Sequence, residues 1–415
     1  MDTLPSLHAV PASWLHDSVL APYVAGYWKY LVGQGYADHT AKVYLYCVAH
    51  FARWIRRRRI AACDLTDDSV RRFITEHLPR CTCPPPVRRY ARDVRAALRH
   101  LLISLDEAGV LRKVKVVSAV DDELFRFDEY MNHARGLARS TRMQRLKILR
   151  SFLQQSHVAG SRVLTCPTQD ELRQFIDIEL RRLCPGSVKL VAGTLRAYLR
   201  YRATLGDAVV HLLPVIMSPA NRRLATLPQT LSPQEVVQLL DAFPQGLPSR
   251  RRAYAMVRCL VDLGLRASEV VGIDLDDIDW EAGTLRIVKN KSRRVDVLPL
   301  PQRTGQAIAT YLRAERPTTT SRRVFVRHVA PVDVPIGPGV LRNIVRQAYC
   351  RSGLAHTRVH ILRHALASRL LATGSTLKEV ADVLRHRELD TSMIYTKVDM
   401  VHLSAVAMPW PGGAI

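Results

Sequence analysis

Two histidines and an arginine are spaced to share one helix face in the segment HILRHALASRLL, residues 360–371. His360, Arg363 and His364 occupy positions i, i+3 and i+4, which are neighbours on a helix surface. Because the arginine would repel a cation, this face suits a phosphate or another oxyanion better than a metal ion. The segment therefore predicts a helix that presents hydrogen-bond donors to an anion.

A possible nucleophile follows in the segment VLRHRELDTSMIYTKVD, residues 383–399. His386 precedes Tyr395 by nine residues, and Asp390 or Thr391 is suited to cap the helix that carries the tyrosine. A tyrosine hydroxyl can form a covalent intermediate. The chain has 14 tyrosines, so Tyr395 taken alone would be interpreted as a half-buried aromatic residue.

Two basic elements lie upstream of these segments. In LGLRASEVVGI, residues 263–273, Gly264 ends one helix and Arg266 begins the next, where its guanidinium can bind a phosphate through two hydrogen bonds. A salt bridge to Glu269 is the alternative, and it is favoured if this motif is considered alone. In the turn KNKS, residues 289–292, a lysine can reach into a groove and donate a proton, although the turn alone would be interpreted as a solvated surface.

In this order and spacing, the four elements resemble the tyrosine recombinase (phage integrase) family. The sequences GLRASE and HILRH match the family pattern, as do the nine residues from His386 to Tyr395 and the 22 residues from His364 to His386. The similarity covers roughly residues 230–405, where LSPQEV is similar to the family's entry into its catalytic domain. Each motif is weak by itself, whereas the combined order is specific.

The resemblance implies roles in DNA cleavage for five of these residues. Arg266 and Arg363 would hold the non-bridging oxygens of the scissile phosphate, where charge accumulates in the transition state. His360 and His386 would donate hydrogen bonds to the same phosphate, and His360 would also take the tyrosine's proton. Tyr395 would attack the phosphorus and form a 3′-phosphotyrosyl link with release of a 5′-hydroxyl.

The resemblance also implies a general acid and an assembly. Lys291 would protonate the leaving oxygen, and it is preferred to Lys289 because it lies eight residues before Pro299, as the family lysine does before its strand-ending proline. The reaction needs no metal or nucleotide cofactor. Family members act as four protomers on two double-stranded DNA sites through a Holliday junction, so we expect a homo-tetramer or a hetero-assembly with sister recombinases. A mobile-element or transposon integrase is expected rather than a chromosome resolvase.

One position departs from the family pattern. The family usually has glycine before its third histidine, whereas this chain has Arg385. This arginine either alters the local turn or adds a backbone contact to DNA, and the sequence leaves both alternatives open.

Composition agrees with a polyanionic partner. The chain has 61 Lys+Arg against 37 Asp+Glu, a net charge of +24 and a pI near 10.2. This charge favours nucleic acid over a membrane surface as the binding partner. No apolar run reaches the ~18 residues of a spanning helix and no signal-peptide pattern begins the chain, so we expect a cytoplasmic bacterial protein associated with the nucleoid.

The N-terminal half contains an internal repeat. Residues 28–55 align with 128–153 at an offset of 101, and the match continues at 67–74 with 169–176 at an offset of 102. Both copies have helical apolar periodicity. The predicted fold is mainly α, with two helical DNA-binding modules and a mixed α/β catalytic domain that contains a small antiparallel sheet. The predicted domains are a first core-binding-like (SAM-like) domain at residues 1–114 and a second core-binding domain at 115–215. A linker at 216–230 leads to the catalytic domain at 231–405, and a tail follows at 406–415.

Arginines and lysines on the polar faces of both copies and in the basic hairpin are candidates for phosphate contact. These candidates are Arg56, Arg57, Arg58, Arg88, Arg89, Arg92, Arg139, Arg142, Arg145, Lys147, Lys289, Arg293 and Arg294. A solvated charged face is the alternative for each of them.

Three rival functions are weighed against the recombinase. A type IB topoisomerase would use much the same site to relax DNA, and an accessory DNA-binding protein of a multi-recombinase system would need no active site. A two-metal nuclease would need carboxylates from separate elements, whereas the dense aspartates fall in one segment that we interpret as a solvated turn. These aspartates are Asp274, Asp276, Asp277 and Asp279.

The eight cysteines are scattered and form no CxxC motif. Cys81 and Cys83 lie close together in the sequence, with Cys63 and His77 nearby, which leaves a zinc site open. Reduced structural thiols are favoured, and no metal is predicted.

Overall fold

The computed structural model describes residues 4–112, 118–156, 166–218, 228–288, 295–386 and 392–398. Its packing separates two compact units. Residues 113–225 form one unit, and residues 1–112 together with 226–415 form the other. Within the described residues, no helix is long and apolar enough to cross a membrane.

The first N-terminal segment is a helical bundle. Its helices are α1 (Ala9–His16), α2 (Val24–Gly33), α3 (Asp38–Arg57), α4 (Asp67–Arg72) and α5 (Ala91–Glu107), with 3-10 turns at Ala21–Tyr23, Ala62–Asp64 and Leu78–Arg80 and a π-helical turn at Phe73–His77. Apolar residues recur along α3 at helical spacing, and Leu45, Val48 and Phe51 are buried against α5. This segment therefore has its own hydrophobic core.

The second N-terminal segment has a separate core. Its helices are α6 (Ala119–Glu129), α7 (Arg139–Ser156), α8 (Gln169–Arg182) and α9 (Pro185–Thr204), with a π-helical turn at Tyr130–Ala134 and a 3-10 helix at Val210–Val215. Thr168 caps α8 in a reciprocal capping box with Glu171. Phe127, Phe152 and Leu195 are buried at the centre of this core.

The C-terminal segment carries the remaining helices and all three strands of the described sheet. Its elements are α10 (Pro233–Asp241), α11 (Arg250–Leu263), α12 (Ala267–Val270), β1 (Ile278–Asp279), β2 (Thr284–Ile287), β3 (Asp296–Pro299), α13 (Gln302–Ala314), α14 (Pro338–Arg351), α15 (His360–Ala372) and α16 (Leu377–Val383), with 3-10 helices at Leu275–Asp277 and Met393–Val398. In LSPQEV, serine followed by proline predicts a helix start, and the structure confirms it: Ser232 caps α10 and Pro233 occupies its first position.

The strands form an antiparallel sheet in the order β1-β2-β3. Leu285 pairs with Ile278 on one side and with Leu298 on the other. From the sequence, residues 284–288 and 294–300 are predicted to be strands joined by a basic turn. The structure has these strands at Thr284–Ile287 and Asp296–Pro299, while the KNKS turn between them lies outside the described residues. The fold class, mainly helical with a mixed α/β C-terminal part and a small antiparallel sheet, is also confirmed.

The prediction of a solvated acidic turn before the sheet is wrong for one aspartate. Asp277 is 8% exposed, accepts a hydrogen bond from the backbone N–H of Asp274 at 3.0 Å and is ion-paired with Arg286. Burial is tolerated because the carboxylate has these partners. Asp274 and Asp276 are likewise paired with arginines, Arg323 and Arg322.

Helix α11 lies at the centre of the C-terminal core. It is buried along most of its length and packs against α10, α13, α14 and α15. Helix α15 then packs on α16 and on the 3-10 helix Met393–Val398 through Leu366, Leu384 and Tyr395. These contacts bring the ends of α11, α15 and α16 together.

Candidate active site

The turn after α11 allows three elements to meet closely. Gly264 has a φ of +57°, and a Cβ at this position would lie 2.8 Å from Leu366 and 2.9 Å from Leu384. Any other residue would have to adopt this strained left-handed φ and would also displace the ends of the Leu366 and Leu384 side chains. The carbonyl of Gly264 accepts a hydrogen bond from Arg363 Nη1 at 2.5 Å.

Arg363 is a buried cation, 5% exposed, that ties these elements together. Its Nη2 also donates to the carbonyl of Leu384 at the end of α16. Burial, together with the nearby Arg266 and Arg385, lowers the pKa of Arg363 to about 9. The guanidinium consequently remains protonated at neutral pH.

Glu269 provides the negative charge that this arginine cluster needs. Its carboxylate is 3% exposed and accepts hydrogen bonds from Arg266 Nη1 at 2.7 Å, from the Arg266 backbone N–H at 2.8 Å and from Arg385 Nη2 at 2.8 Å. Burial alone would raise the pKa of Glu269, but Arg385 and Arg266 hold it below the ordinary value of 4.5. The salt bridge considered as an alternative for Arg266 is therefore present, and it orients this arginine.

Arg385 occupies a position where the resembled family usually has glycine, and its backbone conformation is one that favours glycine. Its φ is +55°, in the left-handed region that costs a non-glycine residue about 1–2 kcal/mol. Its side chain is 4% exposed and points inward to Glu269. The sequence leaves open an altered local turn or a contact to the DNA backbone. The inward direction of the side chain fits the altered turn.

Tyr395 is buried, 1% exposed, with its hydroxyl 2.9 Å from His364 Nδ1. His386 lies parallel to the tyrosine ring, with 6.4 Å between centroids and 6° between planes, and its Nδ1 is 2.5 Å from Ser392 Oγ. The sequence predicts that His364 shares a helix face with His360 and Arg363, but it indicates no role for this residue. Its position one turn after His360 was the available signal.

The imidazoles beside the tyrosine are neutral at neutral pH. Burial lowers the pKa of His364 and of His386 to about 4, assisted by His360 and Arg363 for the first and by Arg363 and Arg266 for the second. Burial raises the pKa of Tyr395, although Arg363 and Arg266 oppose this effect. With His364 neutral, the tyrosine hydroxyl can donate its hydrogen bond to Nδ1.

A basic cavity of about 540 Å³ opens beside this cluster. It is lined by Arg266, His360 and Arg363, three of the residues for which contact with one phosphate is predicted. Arg342 and Arg358 add two guanidinium groups that no sequence motif indicates. These two lie in a region where arginine is too frequent for one residue to stand out. Tyr395 and His386 are not among the lining residues, so the tyrosine and the cavity are adjacent but separate.

The remaining predicted contacts are distributed over the molecule. Arg56, Arg57 and Arg58 are exposed at the end of α3, whereas Arg142 is 18% exposed and ion-paired with Asp128 at 3.0 Å. Arg89, Arg92, Arg139 and Lys147 are exposed, and Arg88 and Arg145 are half-buried. Outside the described residues lie Lys289, Lys291, Arg293, Arg294, Asp390 and Thr391.

Comparison with known proteins gives consistent matches. A sequence model of the phage integrase family matches residues 229–402. An integrase/recombinase of Sinorhizobium fredii, y4rA, is 34% identical over 404 residues, which is 96% of each chain, and the tyrosine recombinase XerC of Azotobacter vinelandii is 33% identical over 53% of this chain and 72% of its own. The structure of XerH bound to its difH substrate has a TM-score of 0.51 and 16% identity, covering 90% of this chain and 97% of that one.

The Glu269 ion pairs predict a pH-dependent stability. Because the folded-state pKa of Glu269 is lowered, its contribution is fully present above about pH 4.5 and is lost as the pH falls through the folded value. We expect Glu269→Gln to reduce amide protection in α11 and α15 at neutral pH, by an equivalent of about 3 kcal/mol for a broken buried pair. The difference between variant and wild type should shrink on acidification.

Hydrogen–deuterium exchange of both proteins at matched pH measures this difference, since intrinsic exchange rates then cancel. Glu281→Gln, at an exposed position between β1 and β2, serves as the control and should leave protection unchanged. A difference between wild type and Glu269→Gln that stays constant from about pH 7 to about pH 3 would contradict the assignment.

Proposed function

The chain belongs to the phage integrase family of tyrosine recombinases, and on that premise we propose that it cuts and rejoins DNA at specific sites through a covalent 3′-phosphotyrosyl link to Tyr395. The observation that carries this proposal is the placement of the tyrosine hydroxyl among His364, His386 and Arg363, beside a cavity lined by cationic side chains. The strongly basic composition fits double-stranded DNA as the partner.

In the proposed reaction, the scissile phosphate occupies the basic cavity. Arg266 and Arg363 bind its non-bridging oxygens and stabilise the additional charge of the transition state. The tyrosine oxygen forms a bond to phosphorus while the bond from phosphorus to the 5′ oxygen breaks. The tyrosine's proton passes to His360, which lines the cavity, and Lys291 supplies a proton to the leaving 5′ oxygen. Attack by an incoming 5′-hydroxyl reverses these transfers and reseals the strand.

The buried position of Tyr395 supports a resting state. A phosphate in the cavity cannot meet a hydroxyl that is 1% exposed and hydrogen-bonded to His364, so the 3-10 helix Met393–Val398 must move before cleavage. Loss of one such hydrogen bond costs about 1 kcal/mol, an amount that DNA contacts readily offset. We therefore assign His364 to holding the idle tyrosine, and His360 to taking its proton during the reaction.

The assembly and the N-terminal segments complete the proposal. Four protomers, either identical or including sister recombinases, would bring two sites together and exchange strands through a Holliday junction, in the context of a mobile element. We propose residues 1–114 and 115–215 as two related DNA-binding modules, 216–230 as the linker, 231–405 as the catalytic domain and 406–415 as the tail. In support, α3 and α7 both follow a positive-φ glycine, Gly35 and Gly136, at the repeat offset.

The nucleophile is tested with a nicked suicide substrate that carries the recognition sequence. Wild type should form a covalent protein–DNA adduct visible on a denaturing gel, and Tyr395→Phe should form none, because phenylalanine has no oxygen to attack phosphorus. Tyr349→Phe, which alters another fully buried tyrosine, is the matched control and should keep the adduct. An adduct that persists in Tyr395→Phe would show that Tyr395 is not the nucleophile.

The two histidines of α15 should behave differently. His360→Ala should lower single-turnover cleavage about 10²–10⁴-fold, as expected for loss of a general base. His364→Leu should keep cleavage within about tenfold and increase nitration of Tyr395 by tetranitromethane in DNA-free protein, because the hydroxyl loses its hydrogen bond and the buried ring is held by packing alone.

His364→Asn is the matched control, since its side-chain oxygen can replace Nδ1 as acceptor and should keep the nitration low. If His364→Leu loses as much cleavage as His360→Ala while nitration stays unchanged, then His364 takes the proton itself and the division of roles is wrong.

The general acid is tested by changing the leaving group. Lys291→Ala should slow cleavage of ordinary DNA and regain its rate on a substrate with sulfur at the 5′ bridging position, because a thiolate leaves without protonation. Lys289→Ala is the paired variant and should show no such selective rescue. Rescue of Lys289→Ala instead of Lys291→Ala would move the role to Lys289.

A further inference from the structure

Four side chains that can bind a metal ion converge in the first N-terminal segment, outside the candidate active site. His50 comes from α3, His77 from the π-helical turn, and Cys81 and Cys83 from the loop that follows. Their potential ligand atoms all lie within 4.8 Å of one another. The sequence alone points to Cys63 in place of His50, because a histidine 27 residues before His77 gives no local signal.

The spacing of these atoms is close to that of a tetrahedral site. His50 Nε2 is 3.1 Å from His77 Nε2 and 3.2 Å from Cys81 Sγ, and Cys83 Sγ is 3.7 Å from His77 Nε2. Zinc bonds of about 2.0–2.3 Å at tetrahedral angles require ligand-to-ligand separations of about 3.3–3.8 Å. We propose that His50, His77, Cys81 and Cys83 bind one structural Zn²⁺ ion, with the release of two thiol protons.

A backbone contact prepares His50 for this role. His50 is fully buried, and its Nδ1 is 3.1 Å from the carbonyl oxygen of Arg88. A carbonyl only accepts, so Nδ1 carries the proton and the lone pair of Nε2 faces the cluster. Ligating histidines are commonly oriented by such a second hydrogen bond. This contact also joins α3 to the far end of the cysteine loop.

The local backbone explains how His77 reaches the same point. After α4, residues Phe73–His77 wind as a π-helical turn, which inserts an extra residue and rotates the following side chains. Phe73 is buried and stacks on the His77 ring with 5.1 Å between centroids. π-helical turns are frequent at functional sites, and this one aims an imidazole into the cluster instead of into solvent.

The second copy of the repeat lacks this ligand set. At offsets of 101 and 102, Ser151 replaces His50, Glu179 replaces His77 and Leu183 replaces Cys81. Helix α8 continues through Arg182 without a π-helical turn, and Glu179 is bound by Arg182 at 2.7 Å. The metal site is therefore a property of the first copy and not of the shared helical pattern.

The proposed ion has a structural consequence for the surface of the first segment. The loop from Cys81 to Tyr90 carries Arg88 and Arg89, two predicted phosphate contacts, and it contains no described helix or strand. Zinc would fix this loop to α3, whose end carries Arg56–Arg58. Metal binding thus would hold two basic surfaces in a constant relation within this segment.

Metal analysis of the untagged full-length chain tests the proposal. Protein purified without chelator should contain about one zinc per chain by inductively coupled plasma mass spectrometry, and Cys81→Ser/Cys83→Ser should contain less than about a tenth of that. Cys63→Ser is the matched control, because this cysteine lies in the same segment but outside the cluster, and it should keep the metal. Zinc-free wild type, or equal zinc in the double variant, would overturn the site.

Cobalt substitution decides the matter even if the double variant fails to fold. Wild type with Co²⁺ in place of zinc should show the intense visible bands of a tetrahedral ion and the sulfur-to-cobalt charge-transfer band of thiolate ligands. Chelator removal of the metal should increase hydrogen exchange at residues 73–90 and leave α15 unchanged. Weak octahedral cobalt bands, or exchange that is unaffected by the chelator, would overturn the proposal.

Discussion

One buried carboxylate makes the arginine cluster possible. Arg266, Arg363 and Arg385 approach one another closely enough for the two others to depress the pKa of Arg363, and only Glu269 among the described residues is hydrogen-bonded to both Arg266 and Arg385. Without it, like charges would be packed in a low-dielectric interior at a cost of several kcal/mol. Asp296 adds a second carboxylate 3.9 Å from Arg385, and three guanidinium groups with two carboxylates still leave a net positive site. This is the charge that a phosphodiester and its more highly charged transition state require.

The same cluster explains how the site tolerates an unfavourable backbone. Arg385 adopts the left-handed conformation that a glycine would adopt without strain. Its ion pair with Glu269 compensates for that strain, so the turn before His386 is held by a side chain instead of being left open. The position of His386, and through it the stacking on Tyr395, thus depends on Glu269 as well.

Sequence patterns predicted the parts of the site that depend on local spacing. The common face of His360, Arg363 and His364, the cap of α10 by Ser232 and strands β2 and β3 all follow from periodicity and capping chemistry. The inward direction of Arg385 could not be predicted, because it depends on a positive φ that arginine rarely adopts. The hydrogen bond from Tyr395 to His364 spans 31 residues and depends on how α15 packs against the 3-10 helix.

The two N-terminal copies show how one helical pattern can be fixed by different chemistry. Both copies must hold the end of one helix against the core, α4 in the first copy and α8 in the second, and a polar group that is removed from water there needs a partner. The second copy does so with Glu179, which is buried and ion-paired with Arg182 on the same helix. In the first copy the aligned residue is His77, and the helix changes to a π-helical turn that directs it to His50 and two cysteines. An ion pair within one helix fixes only that helix, whereas the proposed zinc ion would join α3, the π-helical turn and the loop that follows it. The first copy would then have a means to order its basic loop that the second copy lacks.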